Sequence, residues 1–221
     1  DYMISEFIIS ELKVRDKKIV ISYNLLKTIP SIVKIRLIQL ITDSKNSQWS
    51  KHNMSMLLQF LDKNKSGAFY MLSNGWRLLW DRDSIKVQSP SDHINDKDVI
   101  LKSDTPTNFN SYRYEVNLQN NSKKPNYNKN REIVDWEKLK NTTLKLRLWK
   151  QGDTFQPLGM KGHQKISDFL INEKVDCFDK EYQSVLTADG KIVWVCGKRL
   201  SNWVKITKNT NQIAVLSRGL V

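Results

Sequence analysis

Residues 152–194 constrain the fold more than any other stretch, because turns and elements follow one another there at short, fixed intervals. Gly152 and Asp153 read as a turn, and Pro157, Gly159, Lys161 and Gly162 mark a small glycine-rich loop. Residues 165–171 follow as a short amphipathic helix, with Ile166, Phe169 and Leu170 on one side and Lys165 and Asp168 in solvent. Asp189-Gly190 then separates two apolar runs, 183–188 and 191–196, which is the strongest short hairpin signal. Glycines beside lysines suit phosphate contact, since a residue without Cβ lets the backbone close on an anion. Nothing nearby has the composition of a catalytic centre.

The strand before this stretch alternates. In residues 144–149 the leucines face inward, which predicts Lys145, Arg147 and Trp149 on an opposite, basic face. Residues 203–207 are expected to add a further strand. The last eighty residues, 141–221, therefore predict a β-rich domain around one packed helix.

Residues 1–90 read differently: a helix over 2–14, a strand over 18–23, a helix from Pro30 to Ile41, a second over 50–61, and a meander of three short strands. On the first helix of the pair, Ile32, Ile35, Leu37 and Ile38 make the predicted core face and Lys34 and Arg36 lie outside it. On the second, Met54, Leu57, Leu58 and Leu61 are the expected buried positions. Tryptophan and tyrosine at alternating strand positions here predict core filling rather than base stacking. Residues 91–140 are dominated by Ser, Asn, Asp and Pro and read as a polar linker with little core, in which 111–118 forms one edge strand and 133–136 docks on a neighbour. The fold class is α+β with two small domains: an N-terminal helix pair with a short antiparallel sheet and a C-terminal β-rich domain.

With 221 residues and 39% hydrophobic content the chain can build real cores, and its formal charge of +13 favours a polyanionic partner. Residues 1–90, 91–140 and 141–221 carry net charges of +6, +1 and +6 by count, so the excess lies on the two flanks, as paired binding surfaces require. Abundant Lys, Asn and Ile also fit the residue usage of an AT-rich genome, which is the compositional alternative. No run is apolar enough to span a bilayer, and Asp1 opens the sequence without a basic flank or a signal-type cleavage site, so a soluble, cytoplasmic protein is expected. Cys177 and Cys196 make no disulfide framework, and His52, His93 and His163 stand apart from other ligand types, so no metal site is expected.

Together, Gly152, Asp153, Pro157, Gly159, Lys161 and Gly162, the helix of residues 165–171, and residues 192–199 resemble the C-terminal domain of bacterial tRNA(Ile)-lysidine synthetases, over roughly residues 144–207. Asp176, Lys180 and Ser184 depart from the proline, arginine and proline usual there, and His163 and Gln164 replace more basic loop residues. The first ninety residues are more loosely similar to the middle, substrate-recognition domain. The resemblance implies an enzyme that adenylates C2 of the wobble cytidine of a CAU anticodon and lets the lysine amine displace AMP. The resemblance also implies ATP and magnesium for the full-length enzyme, with the phosphates cradled by backbone amides of a Ser-Gly-Gly-x-Asp-Ser loop in an N-terminal domain. That loop is not found here: Ser66-Gly67 is followed by Ala68-Phe69, and the spacing from Gly190 to Gly197-Lys198 is wrong for a Walker loop. No cofactor is expected in these residues, and catalysis by them alone is not expected.

The candidate RNA-binding residues are Lys161 and Lys165 at the loop, Lys198 and Arg199 after a buried strand, and Arg147 and Lys145 on the alternating strand. Asp153 and Asp168 are assigned no catalysis, because acceptor-only side chains at a turn and on a helix surface ordinarily hold backbone. The expected function is the tRNA-recognition portion of a lysidine synthetase, with tRNA(Ile) bearing CAU as partner. The alternative is a basic protein-interaction or oligomerisation module, such as a homodimer.

Overall fold

Alternation of apolar and polar positions sets the strands of the first half, and helical spacing sets its three helices. The computed structural model describes residues 13–15, 18–42, 49–63, 65–90, 94–120 and 128–221. They divide into two compact units, Asp1–His93 and Ile94–Val221.

In the first unit, β1 (Lys13–Arg15), β2 (Lys18–Ser22), β3 (Phe69–Met71), β4 (Arg77–Asp81) and β5 (Ser84–Gln88) form an antiparallel sheet in the order β1-β2-β5-β4-β3. Helices α1 (Tyr23–Thr28), α2 (Ser31–Ile41) and α3 (Lys51–Lys63) accompany it. Leu37 and Ile38 of α2 and Leu57, Phe60 and Leu61 of α3 share one core with Leu78, Trp80 and Ile85 of the sheet. Trp80 is fully buried, and its indole donates to the Phe60 carbonyl at 2.8 Å, so the aromatic here is core as predicted.

Several expectations for this unit change. The helix expected over 2–14 lies outside the described residues except at its end, where Lys13–Arg15 is a strand. Ile32 sits one turn before the packed stretch of α2 and is 71% exposed. Lys34, expected outside, folds onto α3 and pairs with Asp62 at 2.7 Å. On α3 the buried set is Leu57, Phe60 and Leu61, spaced three and four apart, while Met54 and Leu58 are half-buried.

The second unit stacks two sheets. One is five-stranded, ordered β15-β14-β13-β10-β6, from β6 (Val99–Ile100), β10 (Leu144–Leu148), β13 (Ser184–Ala188), β14 (Lys191–Val195) and β15 (Arg199–Leu200). The other is four-stranded, ordered β7-β8-β16-β9, from β7 (Thr107–Phe109), β8 (Tyr112–Asn120), β9 (Arg131–Asp135) and β16 (Gln212–Leu220). Phe109, Tyr114, Val116, Val134, Ala214 and Leu216 of the second meet Leu144, Leu146, Leu186, Trp194 and Leu200 of the first in one core. Tyr114 and Ser184 hydroxyls bridge the sheets at 2.5 Å. As predicted, Asp189 and Gly190 take φ of 46° and 85° at the β13–β14 hairpin tip.

The opposite face of the five-stranded sheet is covered as well. Short strands β11 (Thr154–Phe155) and β12 (Gln164–Lys165) pair, and helices α4 (Ile166–Asn172) and α5 (Cys177–Glu181) follow. Ile166, Phe169 and Leu170 of α4 pack with Phe155, Val185, Ile192 and Val195 in a second small core, as the helical spacing predicted. A register shift between Leu186 and Thr187 lets Val193 and Trp194, though adjacent, both join the larger core.

Two readings are corrected here. The described residues of 91–140 are not a linker: they supply β6 to β9 and a large share of the core, and 112–118 of the expected strand 111–118 lies within β8, an interior strand. Their apolar residues are sparse in sequence and become a core only because β16, at the far end of the chain, pairs with both β8 and β9. The strand expected over 203–207 is instead a 3-10 turn, Asn202–Val204. The Trp203 indole there donates to the Ile192 carbonyl at 2.7 Å, closing against β14 rather than entering a ladder.

Candidate nucleic-acid interface

The glycine-rich loop is the connection between β11 and β12, and its shape is fixed from inside. Gln156 Nε2 donates to the carbonyls of Met160 and Lys161 at 2.7 and 3.2 Å, and the Met160 N–H closes a turn on the Pro157 carbonyl. The Leu158 N–H donates to the Leu200 carbonyl at 2.8 Å, and Pro157 bridges Ser201. These bonds consume polar backbone on the buried side and leave Gly159 to His163 exposed, Lys161 among them. Lys165 is exposed in β12, opposite Thr154.

Because Leu158 is bonded to Leu200, the loop lies directly against β15, where Arg199 is exposed and follows half-buried Lys198. Two of the regions singled out in the sequence, some forty residues apart, thus share one edge of the sheet. None of Lys145, Lys161, Lys165, Lys198 and Arg199 makes an ion pair among the described residues. Their charge is open to a polyanion.

Arg147 is not. It donates two hydrogen bonds to Asp153, at 2.8 and 2.9 Å, and a third to the Leu148 carbonyl, with its side chain 12% exposed. Asp153 also accepts from the Lys150 N–H at 2.7 Å, while its carbonyl accepts from the Ile166 N–H that opens α4. Burial works against ionising Asp153, but the hydrogen bonds from Arg147 and Lys150 outweigh it and lower the carboxyl below its ordinary range. The predicted basic face of β10 is therefore corrected: Arg147 braces a turn, and Trp149 packs against the α4 core and donates to the Lys180 carbonyl. Lys145 is exposed, but β10 stands three strands from β15, roughly 14 Å at the usual strand spacing. It is not brought to the loop.

Asp168 at the exposed side of α4 accepts from the Ser167 hydroxyl, and no carboxylate pair is presented by it and Asp153. Sequence reasoning missed Arg218 and Glu132. Arg218, near the end of β16, lies over the Tyr112 ring at 4.4 Å with its guanidinium against Gly197. Glu132 on β9 is half-buried, and burial pushes its carboxyl up to about 7 although Arg199 pulls the other way. The signal that leads to both is the apolar run Ile213 to Leu216, which marks β16.

Comparison with known proteins places this geometry. Residues 144–216 match the family model described as TilS substrate C-terminal domain. The tRNA(Ile)-lysidine synthase of Parabacteroides distasonis is 32% identical over 71% of this chain and 35% of its own length. That of Clostridium acetobutylicum is 30% identical over 78% of this chain and 38% of its own. A crystal structure of a TILS C-terminal domain superposes with a TM-score of 0.46 and 18% identity, covering 56% of this chain and 91% of that one. The chain spans about a third of the length of the curated relatives it matches. The resemblance read from the loop, helix and hairpin motifs is borne out by the family model and these relatives. No helix among the described residues is long and apolar enough to cross a membrane.

Proposed function

We propose that this chain, whose residues 144–216 match the family model described as TilS substrate C-terminal domain, is the tRNA-holding part of a lysidine synthetase, with tRNA(Ile) bearing a CAU anticodon as its partner. One observation carries the reading: the glycine-rich loop and the Lys198-Arg199 turn are tied together by the Leu158–Leu200 bond, and their cations make no ion pair among the described residues.

Each residue has a definite task. Lys161 and Lys165 meet backbone phosphates from the loop, and Arg199 grips one with two parallel N–H donors while Lys198 adds a point charge. Arg147 and Asp153 keep the loop's base rigid and touch no RNA. ATP, magnesium and lysine belong to bond-making carried out by a different domain of the complete enzyme; Asp153 here is committed to Arg147 and the Lys150 N–H. Light scattering tests the homodimer expected under the alternative reading.

Filter binding tests the proposal. The tRNA should bind in preference to an RNA duplex of equal length, with affinity falling steeply as salt rises, because each neutralised phosphate releases counterions. Flat, salt-insensitive binding, or none, overturns it.

A further inference from the structure

Gly197 has a neighbour that no sequence pattern announces. The Arg218 guanidinium lies against its Cα and occupies the place a side chain would take. The turn that presents Lys198 and Arg199 therefore rests directly on Arg218. Its φ of 71° reinforces the need for glycine.

Arg218 holds a second segment with equal firmness. Its Nε donates to Asn130 Oδ1 at 2.8 Å, its backbone N–H donates to the Asn130 carbonyl at 2.9 Å, and its Cζ lies over the Tyr112 ring at 4.4 Å. Asn130 is part of a tight tip in which Asn128 and Arg131 exchange two backbone hydrogen bonds of 2.9 Å. The tip exposes Lys129 and Arg131, neither in an ion pair among the described residues. Two cationic segments, one from residues 128–131 and one from 197–199, thus meet across a single arginine. Glu132, the residue after the tip, lies within electrostatic reach of Arg199. Glu132 opposes the patch weakly near neutral pH, because burial favours its protonated form.

We propose that Lys129 and Arg131 join Lys198 and Arg199 in one patch that binds the phosphate backbone of RNA, with Arg218 as the positioning residue that holds the two halves together. The inference rests on the RNA-holding role proposed above and extends the surface to a tip within residues 91–140, a stretch whose net charge by count is only +1. Arg218 is suited to position rather than to bind, since its guanidinium is already committed to Asn130, Tyr112 and Gly197.

The test uses the whole 221-residue chain and a labelled tRNA(Ile) transcript in filter binding between about 50 and 200 mM salt, the range over which phosphate contacts dominate. The double substitution Lys129→Glu with Arg131→Glu alters exposed residues only. It should weaken binding about tenfold or more and flatten the log–log salt slope by about 1.5, as expected for two lost phosphate contacts. Arg218→Gln should weaken binding similarly, and its effect should largely vanish in the tip variant, because both act on one patch. Arg218→Lys should not rescue, since an ammonium cannot lie flat on Tyr112 while bonding Asn130.

If the parent binds steeply and the tip variant binds as tightly with the same slope, the patch is overturned and the RNA-holding role survives. If the parent binds without salt dependence, both fall. Full additivity of Arg218→Gln with the tip substitutions, or rescue by lysine, overturns the positioning role.

Discussion

Arg147 on β10 and Arg199 on β15 belong to the same five-stranded sheet and have opposite surroundings. The first is covered by the α4 side of the unit, and its guanidinium is matched to Asp153 in two parallel bonds. The second stands on the exposed edge strand without an ion pair among the described residues. A charge that is desolvated must be paired to be tolerated, and once paired it has little to offer a phosphate. Only cations that the fold leaves in water are available to a polyanion, so the count of basic residues overstates the binding surface.

Removing the brace should have the largest effect. Asp153→Ala leaves Arg147 covered and unpaired, which should cost about 2–3 kcal/mol in urea unfolding, somewhat less than for a fully buried pair. Arg199→Ala should change stability by no more than about 0.5 kcal/mol, as for ordinary surface positions. Equal losses from the two would dissolve the contrast.

A smaller effect should come from Glu132, which sits between the interior and the edge. Its folded carboxyl titrates near 7 against an ordinary 4.5, so the folded state holds its proton more tightly than the unfolded chain does. Stability should therefore fall as pH rises from about 4.5 to about 7 and then level off. Glu132→Gln should remove that fall when urea midpoints are compared at about pH 5 and pH 8. An unchanged pH profile in the variant would assign the titration to another group.

Local signals made much of this molecule legible. The Asp189-Gly190 tip, the α4 spacing and the alternation of β10 each depend on residues within a few positions, and each appears where it was expected. What the sequence concealed depends on distant partners. The 91–140 segment looked like a linker because β16 lies about a hundred residues beyond β8, and without that strand its few apolar side chains have nothing to cover. Arg147 looked solvent-facing because period-two alternation assumes one wet face, whereas this sheet is covered on both. The loop and the Lys198-Arg199 turn were legible as separate sites; that they adjoin follows from a backbone bond between Leu158 and Leu200, which leaves no sequence signature.

Two triple charge reversals of equal size test the central claim most directly, with tRNA affinity and melting temperature measured for each. Lys161, Lys198 and Arg199 lie at the loop and β15 edge, while Lys140, Lys205 and Lys208 are exposed near the opposite end of the four-stranded sheet. With both proteins still folded, the first triple to Glu should weaken tRNA binding by about a hundredfold or more at moderate salt, and the second by about tenfold or less. Equal losses from the two would contradict the account, because net charge alone would then explain the binding.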